Sequence, residues 1–249
     1  NKSHFHQPTS NTSKGIVQML LPPARPGMPE DEIDTPALIL DLDAFDVNLK
    51  RMSDFCKGAG IRLRPHAKTH KSPIIAHLQS EYGAVGQCVQ KVAEAEVLAW
   101  GGVRDILVSN EIVSRDKLRR LAALTRLAQV SVCVDDSSVI DRIQGVAEEF
   151  DTHLGVLVEI DVGGRRCGVQ VPSQAVTLAK RIAASDNLVF KGLQAYDGAA
   201  QHLRTISERN EHIAAAVSKV RDTVAALLEE GLSCEIVGGG GTGTFELEA

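Results

Sequence analysis

The sequence predicts an α/β protein built as a TIM-type (β/α)8 barrel. Two observations carry that expectation. From Thr35 onward, short runs rich in β-branched residues alternate with longer helical patterns, and polar or glycine-rich segments follow many of these runs. Strict alternation restricts the fold to a barrel or a doubly wound sheet. A doubly wound sheet gathers its site at one switch point, whereas a barrel collects the C-terminal ends of all its strands into one ring. Here Lys68, Gln90, Asn110, Asp135, the segment Asp161 to Arg166, Tyr196 and the glycines from Gly238 follow different runs, which favours the barrel.

Strands are expected at 37–41, 61–66, 86–90, 105–109, 130–134, 155–160, 190–195 and 235–238. The run Gly155-Val156-Leu157-Val158-Glu159-Ile160 is apolar almost throughout, as in a strand covered on both faces. Between the strands, Asp43 is placed to cap a helix whose Phe45, Leu49, Met52 and Phe55 share one face. Ser72 precedes Pro73, a cap followed by proline at the first helical position. Ser114, Ser137 and Ser173 stand where further caps belong, and the last long helix, 201–230, is expected to stop at Gly231. Residues 1–34 lack periodicity and include Leu21-Pro22-Pro23-Ala24-Arg25-Pro26-Gly27. They read as an extended lead-in, partly disordered, to a domain over 35–249.

Composition narrows the function. With 249 residues the chain can bury a large core, and 43% hydrophobic with 24% charged residues is ordinary for a globular enzyme. A formal net charge of −5 gives no basic footprint for nucleic acid or an anionic membrane. The apolar runs are strand-sized, far short of the roughly 20 residues that span a bilayer. Cys56, Cys88, Cys133, Cys167 and Cys234 are dispersed, with no CxxC pair, so a reducing cytoplasm is expected rather than a disulfide framework. Asn11-Thr12-Ser13 fits a glycosylation acceptor, a pattern with little meaning outside a secreted chain.

The densest chemical signal is Arg62-Leu63-Arg64-Pro65-His66-Ala67-Lys68-Thr69-His70-Lys71. Positive neighbours and burial would both disfavour the Lys68 ammonium and free a nucleophilic amine, although the same position suits a solvated surface lysine. His66 and His70 have the spacing of a helical metal pair, but Pro65 argues against a helix there. A second signal, Gly238-Gly239-Gly240-Gly241-Thr242-Gly243-Thr244, follows the last strand. Consecutive glycines let backbone N–H groups converge on a phosphate, and the threonines add hydroxyls; a flexible linker is the bland alternative. Arg165 and Arg166 lie on a glycine-flanked loop, suited to an anionic oxygen or simply to solvent. Tyr196 ends a strand, with His202 close behind as either a general base or a helix-start residue.

These motifs meet in one family. Arg64-Pro65-His66-Ala67-Lys68-Thr69-His70-Lys71, Gln90-Lys91-Val92, Glu159-Ile160-Asp161-Val162-Gly163 with Arg166-Cys167-Gly168-Val169, Gln194-Ala195-Tyr196 and Gly239-Gly240-Gly241-Thr242-Gly243 together resemble the D-threonine aldolase family. Its relatives are 3-hydroxy-D-aspartate aldolase and D-serine dehydratase, which share the fold of the alanine racemase N-terminal domain. The resemblance implies pyridoxal 5'-phosphate held as a Schiff base on Lys68. It places Arg166 at the cofactor's phenolic oxygen, Gln90 and Tyr196 along its ring, and Gly239, Gly240, Gly241, Thr242, Gly243 and Thr244 around its phosphate. His202 matches a histidine near the substrate and is carried as a base. The implied reaction is aldol cleavage of a β-hydroxy-D-amino acid to glycine and an aldehyde, assisted by a divalent metal such as Mn2+. D-serine dehydration and a single-domain carrier of the cofactor are the alternatives. Family members continue past the phosphate loop. The resemblance therefore implies that the last barrel strand, a C-terminal β domain and the metal ligands lie outside this chain, that 37–41 belongs with that β domain, and that the full-length enzyme is a homodimer.

Overall fold

The structure, a computed structural model, describes residues 22–249, so most of the expected lead-in and the Asn11-Thr12-Ser13 triplet lie outside the described residues. The chain divides into two compact units between Asp46 and Val47. In the first, Glu30–Glu32 forms a short 3-10 turn, and the expected strand 37–41 is absent. Leu38 is 97% exposed, Ile39 57% and Leu40 48%. A β-rich composition makes no strand without a partner for its backbone, and 37–41 finds none among the described residues. The following helix α1 (Leu42–Ala59) is capped by Asp41 rather than Asp43: Asp41 Oδ1 accepts the Ala44 N–H at 2.9 Å. Asp43 falls inside the first turn, where its charge still suits the helix dipole.

The second unit is built on a parallel sheet of six strands in chain order, β1 (Gln87–Val89), β2 (Asp105–Glu111), β3 (Gln129–Val134), β4 (Leu154–Glu159), β5 (Leu188–Gln194) and β6 (Ile236–Gly238). Helices α2 (Pro73–Glu81), α3 (Val92–Trp100), α4 (Arg115–Ala123), α5 (Ser137–Glu149), α6 (Ser173–Ala183) and α7 (Ile206–Glu229) provide the connections, and α8 (Phe245–Glu248) follows β6. The expected strand 61–66 shrinks to two parallel bridges, Leu63 to Ala84 and His66 to Cys88. Pro65 has no N–H to give a longer ladder. Among the described residues this is an open part of the expected eight-stranded barrel.

The sheet has two differently filled faces. Side chains alternate along each strand, so Val89, Ile106, Val108, Val130, Val132, Val156 and Val158 pack toward the helices with Leu98, Leu121, Ile143 and Ile182. Cys88, Leu107, Cys133 and Leu157 form a smaller buried layer of their own, with Ile236 against it. Register ties this layer together, pairing Cys88 with Leu107 and Cys133 with Leu157.

Capping holds in part. Ser72 Oγ accepts the Ile75 N–H at 3.4 Å with Pro73 opening α2. Ser114 sits at the cap of α4 without a side-chain bond. Asp136, not Ser137, caps α5, accepting the Ser138 N–H at 2.7 Å, and Pro172 precedes α6 with Ser173 already helical. The last long helix starts later than expected, at Ile206, through a reciprocal Thr205–Glu208 capping box, and Gly231 follows it at φ 74°.

Candidate active site

Because all six strands are parallel, their C-terminal ends share one edge, and the residues singled out from sequence lie along it. Lys68 is in the turn that follows the His66 bridge, Gln90 follows β1, the arginine loop follows β4, Tyr196 follows β5 and the glycines follow β6. The Lys68 turn is tied down from both sides. Ala67 N–H donates to Cys88 O at 2.8 Å, and Lys68 N–H donates to His66 Nδ1 at 3.3 Å. Lys71 Nζ reaches back to the Lys68 carbonyl and lies 3.9 Å from Glu94 Oε1. Glu94 is 7% exposed, and its Oε2 accepts the Gln90 N–H at 2.8 Å and the Lys91 N–H at 3.3 Å. One buried carboxylate thus joins the turn of Lys68 to the turn of Gln90.

The electrostatic setting differs from the one expected. Lys68 is exposed rather than buried. Arg64 faces Asp105 through a two-pronged contact of 2.7 and 3.2 Å. Burial pulls His66 down to about 4, with the Lys68 charge as the second cause, and burial also lowers His70. Both imidazoles are therefore neutral near pH 7. In the His66–His70 pair, His66 Nε2 lies 3.4 Å from Ser109 Oγ, and His70 Nδ1 accepts the Ser72 N–H at 3.0 Å.

The loop after β4 places Arg166 over the Tyr196 ring, with its guanidinium carbon 5.5 Å from the ring centroid. Arg166 Nη2 is also 3.6 Å from Glu159 Oε1. Asp161 Oδ1 shapes the loop by accepting the N–H groups of Gly163 and Arg165, each at 3.0 Å. His202 is exposed in the 3-10 turn Ala200–His202. Asp197, 1% exposed, starts that turn by accepting the Ala199 N–H at 3.0 Å. Its other oxygen meets His212 Nε2 at 2.7 Å, close in distance though not aligned as a hydrogen bond.

The glycine loop is folded rather than slack. Gly243 N–H donates to Gln201 Oε1 at 2.8 Å, Gln201 Nε2 donates to Thr244 Oγ1 at 2.7 Å, and Arg209 Nη1 holds Gly243 O at 3.2 Å. Gly241 N–H donates to a carboxylate oxygen of Glu248 at 3.2 Å. A Cβ on Gly240 would lie 2.9 Å from that same oxygen, so the loop already receives an anionic oxygen where side chains are missing. The cradle therefore fits a phosphate.

Sequence reasoning missed a group of acids. Glu111, Glu159 and Cys167 bring one ligand-type atom each within 4.8 Å of one another. Burial raises Glu159 to about 7 and Cys167 to about 12. Sulfur is a soft donor and a manganese-type ion prefers oxygen, so a cluster that includes Cys167 fits the implied metal poorly. The signal was a glutamate inside an apolar strand.

A parallel sheet whose strands neighbour one another in chain order, with helices between them, is part of a barrel-type α/β fold, a class that binds its ligands at the strand C-termini. Residues 40–249 match the alanine racemase N-terminal domain, and the chain belongs to that family. It is 48% identical over 229 residues to 3-hydroxy-D-aspartate aldolase of Paracoccus denitrificans (strain Pd 1222), covering 91% of this chain and 59% of that protein. D-threo-3-hydroxyaspartate dehydratase of Delftia sp. (strain HT23) is more distant, 30% identical over 217 residues, 85% of this chain and 56% of that one. The crystal structure of D-threonine aldolase from Filomicrobium marinum superposes with a TM-score of 0.89 at 49% identity, over 92% of this chain and 62% of that one. The chain thus spans about three fifths of the length of the aldolases it matches.

Proposed function

We propose that residues 35–249 form the pyridoxal-phosphate-binding domain of an aldolase that splits a β-hydroxy-D-amino acid, of the D-threonine or 3-hydroxy-D-aspartate type, into glycine and an aldehyde. The observation that carries this is the shared strand edge, which sets Lys68, Gln90, Arg166, Tyr196 and the glycine loop on one side of one parallel sheet. Lys68 Nζ is the attachment point, exposed and on a turn fixed by Glu94 and His66. The Gly239–Thr244 loop receives the phosphate, Gln90 and Tyr196 line the ring, and Arg166 donates to the phenolic oxygen. When bound, the cofactor supplies an electron-poor ring that accepts the electron pair released as the Cα–Cβ bond breaks. His202 is the exposed imidazole suited to take the β-hydroxyl proton at a ring nitrogen as the carbonyl forms.

The aldolase reading is favoured over dehydration by the higher identity to the aldolases. All five cysteines are free, which supports a cytoplasmic setting, and no helix among the described residues is long and apolar enough to cross a membrane. The resemblance further supports a homodimer for the full-length enzyme. The test is borohydride reduction of the chain with pyridoxal phosphate, followed by peptide mapping. The phosphopyridoxyl group should lie on Lys68, and label on another lysine would falsify the assignment.

A further inference from the structure

We infer that Glu159 is the residue that positions Arg166, holding its guanidinium over Tyr196 as one half of a carboxyl pair with Glu111. This deepens the reading of Arg166 as a cofactor contact and rests on it. Arg166 is a long side chain, 61% exposed, with one ion-pair partner among the described residues, Glu159 at 3.6 Å. Glu159 ends β4 and is 3% exposed, so its carboxylate is fixed while the guanidinium reaches outward. Cys167 Sγ–H donates to the same Glu159 oxygen at 2.9 Å, pinning that oxygen from the loop that carries Arg166. The Tyr196 face, 5.5 Å from the guanidinium carbon, is the second support.

Charge counting extends the argument. Glu111, at the end of β2, has an oxygen shielded from solvent with no hydrogen-bond partner, and it lies in the same cluster. Two carboxylates against one guanidinium leave a negative charge in a desolvated place unless the pair keeps a proton. The other titratable groups facing the pair are the thiols of Cys133 on β3 and Cys167 on the loop, both pushed up by burial and neutral. The proton therefore belongs to the carboxyls, and burial raises Glu159 to about 7. When that proton leaves, Arg166 faces one more negative charge than before.

The experiment follows the Tyr196 ring by NMR of the chain carrying ring-labelled tyrosine, between pH 5 and 9, with Tyr196→Phe for assignment. In the parent the Tyr196 resonance should titrate with a midpoint near 7. Glu159→Gln, which keeps the shape and removes the charge, should abolish that titration. Glu111→Gln removes the like charge and should move the midpoint at least about one pH unit lower. A flat parent curve, an unchanged curve in Glu159→Gln or an unmoved midpoint in Glu111→Gln overturns the inference. Because no cofactor is present, these results are independent of the Lys68 mapping, whose failure would instead remove the functional reading.

Discussion

Glu159 and His66 should impose opposite pH dependences on stability, which offset each other in the parent and separate in two single variants. Burial, and then the Lys68 charge, lowers His66 from its ordinary 6.5 to about 4. The unfolded chain then binds the extra proton between those values. The His66 contribution is whole above 6.5 and lost as pH falls through about 4. Glu159 runs the other way, raised by burial from 4.5 to about 7. Its contribution is whole below 4.5 and lost as pH rises through about 7. One pH unit of displacement is worth about 1.4 kcal/mol, so each group commands on the order of 3 kcal/mol. Across pH 4.5 to 6.5 the two slopes oppose. Urea unfolding at several pH values in that window is the assay, read as each variant minus the parent. Glu159→Gln should gain roughly 2–3 kcal/mol with rising pH, and His66→Asn should lose a similar amount. Difference curves that stay flat would refute both the burial of these groups and the linkage drawn from it.

Two glycines in one loop should fail in different ways. A Cβ on Gly239 would strike the Ala195 carbonyl, 2.6 Å from its carbon and 2.9 Å from Tyr196 N, all backbone that cannot swing aside. Gly239→Ala should therefore cost roughly 2–4 kcal/mol of stability by urea unfolding, and a loss under about 0.5 kcal/mol would mean the strand ends are not packed this closely. The nearest atoms to a Cβ on Gly241 are those of the Gln201 amide, 2.5 Å to Cδ and 2.6 Å to Oε1, a side chain that can move by giving up its bonds to Gly243 and Thr244. Gly241→Val should fold nearly as well yet bind pyridoxal phosphate at least about tenfold more weakly in an absorbance titration, about 1.4 kcal/mol, and parental affinity would reduce the loop to a linker.

The central strands were legible because their apolar runs are buried on both faces, which a sequence shows as uninterrupted β-branched residues. Run 37–41 is apolar but pairs with no strand among the described residues, and 61–66 alternates Ile61 and Leu63 with arginines but is cut short at Pro65, so pattern overstated both. Caps were displaced by one residue where a stronger acceptor stood beside the serine, as Asp136 does beside Ser137. Positions at the strand C-termini could be read because polar residues after apolar runs stand out. Their electrostatics could not. Arg64 appeared as a free positive neighbour of Lys68, yet its partner Asp105 is 41 residues away in sequence. Glu159 looked like an interruption in a strand, and only the path of the chain through β2 and β4 brings Glu111 to it.

Two ion pairs at the strand C-termini share an asymmetry that Arg64–Asp105, with the cation 18% and the acid 33% exposed, lacks. In Lys71–Glu94 the cation is 55% exposed and the acid 7%; in Arg166–Glu159 the values are 61% and 4%. Each carboxylate is rooted in the protein and each cationic group stands in front of it. A chain with a net charge of −5 would on average repel a phosphate and an amino-acid carboxylate. At these two places the acid is withdrawn behind its partner, so an approaching anion meets the ammonium or the guanidinium first. Surface charge elsewhere can stay negative without weakening that approach, because charges beyond about 10 Å are largely screened at ordinary salt while the nearby cations are not. The buried acids thus orient the cations that the proposed anionic cofactor would meet.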